Sequence, residues 1–179
     1  MIYLKSPDEI ALMRRAGRLA ADALAFVLDA VRPGVTTAYL DAVAEEFIRN
    51  RGGKPAFKGY HGYPASICVS RNETVVHGIP SAEDMVEEGD IVSIDLGVEK
   101  DGLFGDIAWS ILVGEGSEAA QRLLSVARES LFRGIEEAVT GNRLFDIGAA
   151  IQEFVEANGY NVVRQFVGHG IGRSMHEEP

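Results

Sequence analysis

The chain has 179 residues, 46% of them hydrophobic, which is enough for one domain with a sizeable core. Its net charge of −10 argues against nucleic acid and anionic membranes as partners, because those surfaces bind clustered lysines and arginines. The single cysteine excludes an internal disulfide, which fits a reducing compartment. No segment approaches the roughly 20 apolar residues of a membrane-spanning helix. The charged N-terminus lacks the apolar region of a signal peptide, so we expect a soluble, cytoplasmic protein.

Four helices are predicted from their start and stop signals. Ser6-Pro7-Asp8-Glu9 is a capping box with proline at the first helical position, so a helix should run from Pro7 to about Val31, ahead of Pro33-Gly34. The other three should span Thr37 to Arg51, Ser117 to Thr140 and Leu144 to Asn158. Glycines directly after the second and fourth helices mark their ends.

The four helices form two copies of one helix pair. A shift of 107 positions carries several residues onto the same residue type without a gap, among them Arg15 to Arg122, Leu24 to Leu131, Phe47 to Phe154 and Gly52 to Gly159. Chance similarity between amphipathic helices is the alternative, but the glycines also fall in register. We expect a pseudo-twofold α/β (α+β) domain, with the helix pairs packed on one side of a curved antiparallel sheet and a cleft on the other side.

Two β-rich runs between positions 91 and 113 flank Glu99–Gly102 and predict a hairpin. If the turn centres on Lys100-Asp101, Asp95 and Asp106 face each other directly. If Asp101-Gly102 is the two-residue loop, the aspartates are diagonal neighbours roughly 7–8 Å apart. They share a face in both registers. Neighbouring carboxylates repel each other and divalent cations remove that cost, whereas solvation and pairing with lysine or arginine is the alternative.

Three histidines are candidates for chemistry. His169 follows an apolar segment at 162–167, which we predict as a strand, and it lies among glycines that permit close backbone approach. It is a candidate metal ligand, with an ordinary loop residue as the alternative. His77 and His176 could each hold a peptide or move a proton, because neutral imidazole both donates and accepts. We interpret His61 as a turn residue.

Five segments, in chain order, resemble the type I methionine aminopeptidases: Tyr60–Cys68, Val76–Pro80, Ser93–Gly97, Gly105-Asp106 and Gly168–Pro179. The match extends over essentially the whole chain. The resemblance implies the pita-bread fold and, in the complete enzyme, two divalent metal ions, cobalt, manganese, iron or zinc, that activate a water or hydroxide. The implied reaction is removal of the initiator methionine of nascent proteins by hydrolysis of the first peptide bond, with a preference for small second residues.

The resemblance also assigns roles to individual residues. It implies that Asp95 and Asp106 bind metal, that Asp106 bridges both ions, and that His169 binds one of them. His77 and His176 match two substrate-contacting histidines, one near the scissile nitrogen and one at the carbonyl oxygen. The implied pocket for the methionine side chain is lined by Tyr60, Tyr63, Cys68 and Met175. Sulfur-containing side chains suit a thioether ligand, and ordinary core packing is the alternative for these four residues.

Two glutamates that complete the family's site lie beyond the position that matches Pro179. We therefore expect residues 1–179 to be a single pita-bread domain that is incomplete at its C-terminus, with a truncated second half. By itself this chain is expected to bind at most one metal ion weakly and to hydrolyse little. Glu177 and Glu178 are expected to be solvated. The alternatives are a catalytically incomplete fragment, a peptide-binding module, or an enzyme like prolidase or aminopeptidase P. We expect a monomer whose partner is the N-terminal methionine of nascent chains, with the ribosome as a further candidate.

Overall fold

The computed structural model describes residues 2–179, which form four helices and a four-stranded sheet. The helices are α1 (Pro7–Ala30), α2 (Thr37–Asn50), α3 (Glu118–Glu137) and α4 (Leu144–Ala157). The strands are β1 (Lys54–Pro55), β2 (Cys68–Arg71), β3 (Ile91–Lys100) and β4 (Leu103–Leu112), with a 3₁₀ turn at Tyr60–Gly62. None of the helices in this part of the chain has both the length and the apolar character needed to cross a bilayer. The chain divides into two compact units, one reaching Gly116 and including His169–Pro179, the other Ser117–Gly168.

The four predicted helices are all present, and α1 starts at the predicted capping box. The Ser6 hydroxyl accepts a hydrogen bond from the Glu9 N–H at 3.3 Å, and the Glu9 carboxylate accepts one from the Ser6 N–H at 2.8 Å. This reciprocal pair is the capping box that starts α1. The Thr36 hydroxyl caps α2 in the same manner by accepting from the Tyr39 N–H at 3.2 Å.

The sheet is built around β3, which pairs antiparallel with β1, β2 and β4. Successive side chains of a strand point to opposite faces. The even-numbered residues Val92, Ile94, Leu96 and Val98 are fully buried and belong to the hydrophobic core that includes α1 and α2. Asp95 therefore lies on the opposite face. One face of the sheet closes the core, which leaves the other available for polar groups.

The turn between β3 and β4 sets the positions of the two aspartates. Asp101 and Gly102 both have positive φ, 54° and 78°, as a two-residue hairpin turn of type I′ requires. Asp106 consequently pairs with Gly97, two residues along β3 from Asp95. The aspartates are diagonal neighbours on one face, and the directly facing register is wrong. That register would have placed Lys100 at a left-handed turn position that its Cβ disfavours.

The second helix pair repeats the bounds of the first, and this confirms the predicted duplication. Helix α1 ends at Ala30 and α3 ends at Glu137, 107 positions later, while α2 and α4 correspond at both ends. The glycines after these helices share left-handed φ values: Gly34 at 87° and Gly141 at 106°, and Gly52 at 70° and Gly159 at 84°. The same helix–turn–helix pattern is therefore encoded twice.

The apolar segment before His169 is not a strand, so that prediction was wrong. Residues 160–168 have no regular secondary structure, and Val167 exposes 83% of its surface. No other segment within residues 2–179 pairs with this one. A strand needs a neighbour to satisfy its backbone groups, and apolar composition alone does not supply that partner. Within residues 117–168 the structure contains the two helices and no strand.

Gly105 lies on β4 next to Asp106 and directly against α1. A Cβ at this position would lie 2.7 Å from backbone atoms of Ala16 and Gly17. We expect Gly105→Ala to lower the free energy of unfolding by about 1–3 kcal/mol, because a helix backbone cannot move aside as a side chain can. Chemical denaturation measures this change.

Gly17→Ala is the matched control, since a Cβ there meets nothing within 4 Å. Alanine in a helix should raise the free energy of unfolding by about 0.5–1 kcal/mol. If both alanine variants were as stable as the wild type, the close contact between α1 and β4 would be contradicted.

Candidate metal centre

The sheet face that points away from the core carries the predicted metal ligands. Cys68 on β2 lies directly opposite Asp95 on β3, and Asp106 on β4 lies opposite Gly97. A Cβ on Gly97 would come within 2.8 Å of the Phe57 ring, so glycine is what allows this ring to approach the strand. The alternation of side chains along three strands thus gathers a thiol and two carboxylates on one surface. The Phe57 ring, from the loop after β1, packs on the same surface.

Burial makes both carboxylates weaker acids than usual. Burial raises the pKa of Asp95 to about 7, and the charge of Asp106 adds to this shift. Burial likewise raises the pKa of Asp106, whereas His169 and His176 lower it in part. Ionising both groups together is therefore costly. A bound cation would offset this cost, which is the electrostatic requirement of a metal site.

His169 presents one ring nitrogen to Asp106. Its Nδ1 lies 2.9 Å from the carbonyl oxygen of Gly170, and because a carbonyl can only accept, Nδ1 carries the proton. Its Nε2 lies 3.5 Å from Oδ2 of Asp106. Histidines that bind metals commonly donate their other N–H to a carbonyl in this way. Two ligands on one tetrahedral ion, each about 2.0–2.1 Å from the metal, would lie roughly 3.3 Å apart, so the observed spacing suits a shared ion.

A series of rings continues from this pair towards the predicted pocket. The His169 and His176 rings have centroids 4.2 Å apart. The Tyr60 hydroxyl lies 2.7 Å from Nδ1 of His176, and the two rings are stacked at 5.3 Å. Burial and the neighbouring His169 lower the pKa of His176, which favours its neutral form. Tyr60, His176, His169 and Asp106 thus form a continuous series. His61 lies in the 3₁₀ turn beside Tyr60, as expected for a turn residue.

A small buried cluster lies on the same surface and contains Phe57, Cys68 and Met175. Tyr63 and Phe104 pack against it. Three of these five were predicted pocket residues, whereas Phe104 was missed. Its position on β4, two residues before Asp106 and therefore on the same face, is the signal that could have found it.

The thiol of Cys68 and the hydroxyl of Tyr63 are both held in this cluster. Burial raises the pKa of Cys68 to about 11, and the nearby Asp95 and Asp106 add to the shift, so the thiol is protonated at neutral pH. The Tyr63 hydroxyl lies 3.1 Å from the carbonyl oxygen of Ile67 and 3.0 Å from that of Gly78. Neither side chain is charged, which suits contact with an apolar ligand.

His77 precedes Gly78, whose backbone is hydrogen-bonded to β2. The Gly78 N–H donates to the Ser70 hydroxyl at 3.0 Å, and the Gly78 carbonyl accepts from the Val69 N–H at 3.0 Å. A Cβ on Gly78 would overlap the Val69 carbonyl oxygen, so the two backbones are in close contact. His77 is itself exposed and has a positive φ of 60°. It is thus held beside β2, whereas His176 lies beside His169.

Glu177 is not solvated as expected. Its side chain is 12% exposed and its carboxylate lies 2.6 Å from Nζ of Lys5. The expectation failed because the partner is distant in sequence, in the segment that precedes α1. Glu178 is exposed.

The donor atoms fit a divalent ion, although they do not form a closed cage. Within residues 2–179, no three His, Cys, Asp or Glu side chains converge as a complete metal site. Asp106 and His169 approach each other, and Asp95 stands one diagonal step away on the same face. Two carboxylates without a compensating cation repel each other, which favours a larger distance between Asp95 and Asp106. Carboxylate oxygen and imidazole nitrogen suit manganese, iron, cobalt and zinc without selecting one of them.

A family model for metallopeptidase family M24 matches residues 11–179. The chain belongs to this family. It is 52% identical over 179 residues to the methionine aminopeptidase of Clostridium acetobutylicum, an alignment that covers 100% of this chain and 72% of that protein. The resemblance to methionine aminopeptidases inferred from the sequence is therefore confirmed, and membership of the M24 metallopeptidases implies a divalent metal cofactor.

Solved structures of two peptidases confirm the predicted fold. The chain matches the methionine aminopeptidase of Thermotoga maritima with a TM-score of 0.98 and 46% identity, covering 100% of this chain and 72% of that one. It also matches the Xaa-Pro dipeptidase of Bacillus anthracis, with a TM-score of 0.83 and 28% identity, covering 98% and 48%. The pita-bread arrangement of helices and antiparallel strands is thus shared with both enzymes.

The raised pKa of Asp95 predicts how the metal-free protein responds to pH. The folded pKa is about 7 against an ordinary 3.8, so this group's stabilising contribution is fully present below about pH 4 and is lost as pH rises through 7. Asp95→Asn should remove the loss. In the presence of a chelator, the variant should exceed the wild type in unfolding free energy at pH 8 by on the order of 3 kcal/mol.

Denaturation of both proteins at several pH values measures this difference. The comparison cancels the opposite contributions of Glu45 and Asp90, whose pKa values are lowered. Parallel pH profiles for the two proteins would contradict the burial of a strained carboxylate at Asp95.

Proposed function

We propose that the enzyme to which this chain belongs hydrolyses the first peptide bond of polypeptides that begin with methionine. The observation that carries the proposal is the approach of Asp106 and His169 beside the buried cluster of Cys68 and Met175. A pair of candidate metal ligands lies there next to a surface that suits a thioether side chain. The 52% identity to a methionine aminopeptidase supports the same reading.

Asp95, Asp106 and His169 would hold the metal, and Asp106 would be shared by two ions in the complete enzyme. A bound divalent ion supplies Lewis acidity, which lowers the pKa of water and polarises a carbonyl group. The chain's own contribution is the placement of the donors. The hairpin fixes both carboxylates on one face, and the Gly170 carbonyl orients the His169 ring so that Nε2 points to Asp106. Two ions, and a choice among cobalt, manganese, iron and zinc, are part of the proposal.

The methionine side chain of the substrate would lie against Tyr60, Tyr63, Cys68 and Met175. Polarisable sulfur atoms and ring edges favour contact with a thioether. The protonated Cys68 thiol and the neutral Tyr63 hydroxyl add no charge that would have to be desolvated. A preference for small second residues is also part of the proposal, as the resemblance to methionine aminopeptidases implies.

The two remaining histidines would contact the peptide group. Tyr60 engages Nδ1 of His176, which leaves Nε2 to hold the carbonyl oxygen. His77 would lie near the scissile nitrogen, where an imidazole that takes up a proton at one ring nitrogen and gives one up at the other can relay a proton to the departing amine. Contact with the ribosome, a monomeric state and a cytoplasmic location stay predictions from the sequence, as does a single domain over residues 1–179.

Release of methionine tests the proposal directly. Purified protein with Mn²⁺ should liberate free methionine from a Met-Ala peptide, and much less from a Met-Lys peptide, because the second side chain is larger. N-acetylation of the peptide or addition of a chelator should stop release. Liquid chromatography with mass detection measures the products.

The outcome also separates the alternatives. Cleavage of Xaa-Pro peptides in preference to Met-Ala would favour a proline-specific exopeptidase, consistent with the match to the Xaa-Pro dipeptidase. Saturable peptide binding without cleavage would favour a peptide-binding module. Either result would contradict the proposed activity.

Asp106→Asn should remove methionine release and weaken metal binding, because an amide lacks the negative charge and one of the two acceptor oxygens. The expected loss exceeds about 100-fold, the upper range for residues that merely support a ligand. Asp101→Asn on the same hairpin is the matched control. Asparagine tolerates its positive φ, so only an exposed contact with Arg15 is lost. Near-normal turnover of the Asp106→Asn protein in this assay would refute the bridging role.

A further inference from the structure

The segment His169–Pro179 carries two of the site histidines but contains no helix and no strand. Its backbone closes on itself, because the Gly170 N–H donates to the Glu177 carbonyl and the Glu177 N–H donates to the Gly170 carbonyl, both at 2.8 Å. It is tied to the sheet where the Phe104 N–H donates to the Gly172 carbonyl at 2.9 Å. A loop of this kind keeps its side chains in position only if further contacts fix it.

Glu177 is the centre of those further contacts. Its Oε1 accepts from the backbone N–H groups of Arg173 at 2.7 Å and Ser174 at 3.1 Å. Its Oε2 accepts from Nζ of Lys5 at 2.6 Å. The carboxylate therefore closes the turn before His176 and at the same time joins the turn to another part of the chain. Hydrogen bonds to an ionised group are stronger than those between neutral groups.

Lys5 belongs to the short segment that precedes α1. Its stem packs on Gly172, since a Cβ on that glycine would come within 2.3 Å of the lysine Cε. Four residues later in the chain, Glu9 holds Arg173 at 2.9 Å, so the loop has a second contact with the start of α1. Because α1 packs on β3 and β4, the loop is indirectly braced against the strands that carry Asp95 and Asp106.

With the pair of Arg71 and Asp90, whose side chains are 19% and 8% exposed, the Lys5–Glu177 pair is among the least exposed ion pairs of this unit. Its side chains are 17% and 12% exposed, against 69% and 30% for the pair of Lys54 and Glu99. Exposed pairs contribute little, because water and salt screen them. Removing one partner of a shielded pair is more damaging, since the remaining charge loses its compensation.

We propose that Lys5 and Glu177 are positioning residues that fix the His169–Pro179 loop, and with it His169 and His176, over Asp106. The catalytic part of this inference rests on the proposed function, whereas the structural part does not. Loss of the pair should leave the fold intact while the two imidazole rings shift relative to each other and to Asp106. Small displacements of reacting groups have large effects on rate.

Three substitutions remove the pair in graded ways. Lys5→Met keeps the packed stem and removes the charge. Glu177→Gln keeps an oxygen for the two backbone N–H groups and removes the charge, while Glu177→Ala removes every contact. Lys54→Met is the matched control, because it makes the same change in an exposed ion pair of the same unit.

Nuclear magnetic resonance of the histidine rings gives a readout that needs no enzymatic activity. The chain has four histidines, so their ring signals can be assigned individually. In metal-free wild-type protein, we expect a cross-relaxation signal between the His169 and His176 rings, whose centroids are 4.2 Å apart. Lys5→Met and Glu177→Gln should weaken it and shift both sets of ring signals, with His77 unchanged. Unchanged His169 and His176 signals in these variants, or equal changes in Lys54→Met, would overturn the proposal.

Kinetics provides the second readout. We expect kcat/KM for Met-Ala peptides to fall by about 10–100-fold in Lys5→Met, as is typical when support for a metal ligand is removed. Glu177→Ala should be more harmful than Glu177→Gln. The double variant Lys5→Met/Glu177→Gln should be no worse than the more harmful single variant, because both disrupt one interaction. Additive losses would overturn the proposal, whereas absent wild-type turnover would count against the proposed function alone.

Discussion

Repulsion between Asp95 and Asp106 is built into the backbone, because the two-residue turn at Asp101-Gly102 places both carboxylates on one face of β3 and β4. Gly97 is paired with Asp106 on this face and has no side chain, so it cannot relieve the repulsion. Burial then raises the pKa of Asp95 to about 7. The opposite face, with its fully buried aliphatic residues, supplies the stability that allows such a costly arrangement to persist. The hydrophobic core and the candidate site thus lie on opposite faces of the same strands, because successive side chains alternate between the faces.

The parts of the fold that could be predicted are those with local causes. The capping box at Ser6 and the left-handed glycines fixed the helix ends, and Asp-Gly specified the hairpin turn. The register of that hairpin stayed ambiguous from spacing, although the unfavourable φ at Lys100 decides it. The supposed strand at 162–167 failed for a non-local reason. Its apolar residues resemble those of a buried strand, but pairing depends on a second segment that the local pattern does not reveal.

The candidate site likewise contains some residues that could be predicted from the sequence and others that could not. Residue type and motif predicted Asp95, Asp106 and His169 as candidate metal ligands, since two carboxylates on one face of a hairpin repel each other unless a cation compensates them. Phe104 could have been found from strand alternation. Glu177 could not, because a run of two glutamates in a loop resembles a solvated surface, and its partner Lys5 lies 172 positions away in the chain. Contacts across such a separation are visible only once the fold is known.

The bracing of an irregular loop by the beginning of the chain has a thermodynamic consequence. His169 can serve as a ligand only when its loop lies over Asp106, and the Lys5–Glu177 pair stabilises that same position. Any cation held by His169 and Asp106 would favour it too. Two interactions that favour one conformation strengthen each other, and the effect is reciprocal. Docking of the N-terminal segment should therefore tighten metal binding, and bound metal should in turn hold the N-terminal segment in place, although the two share no direct contact.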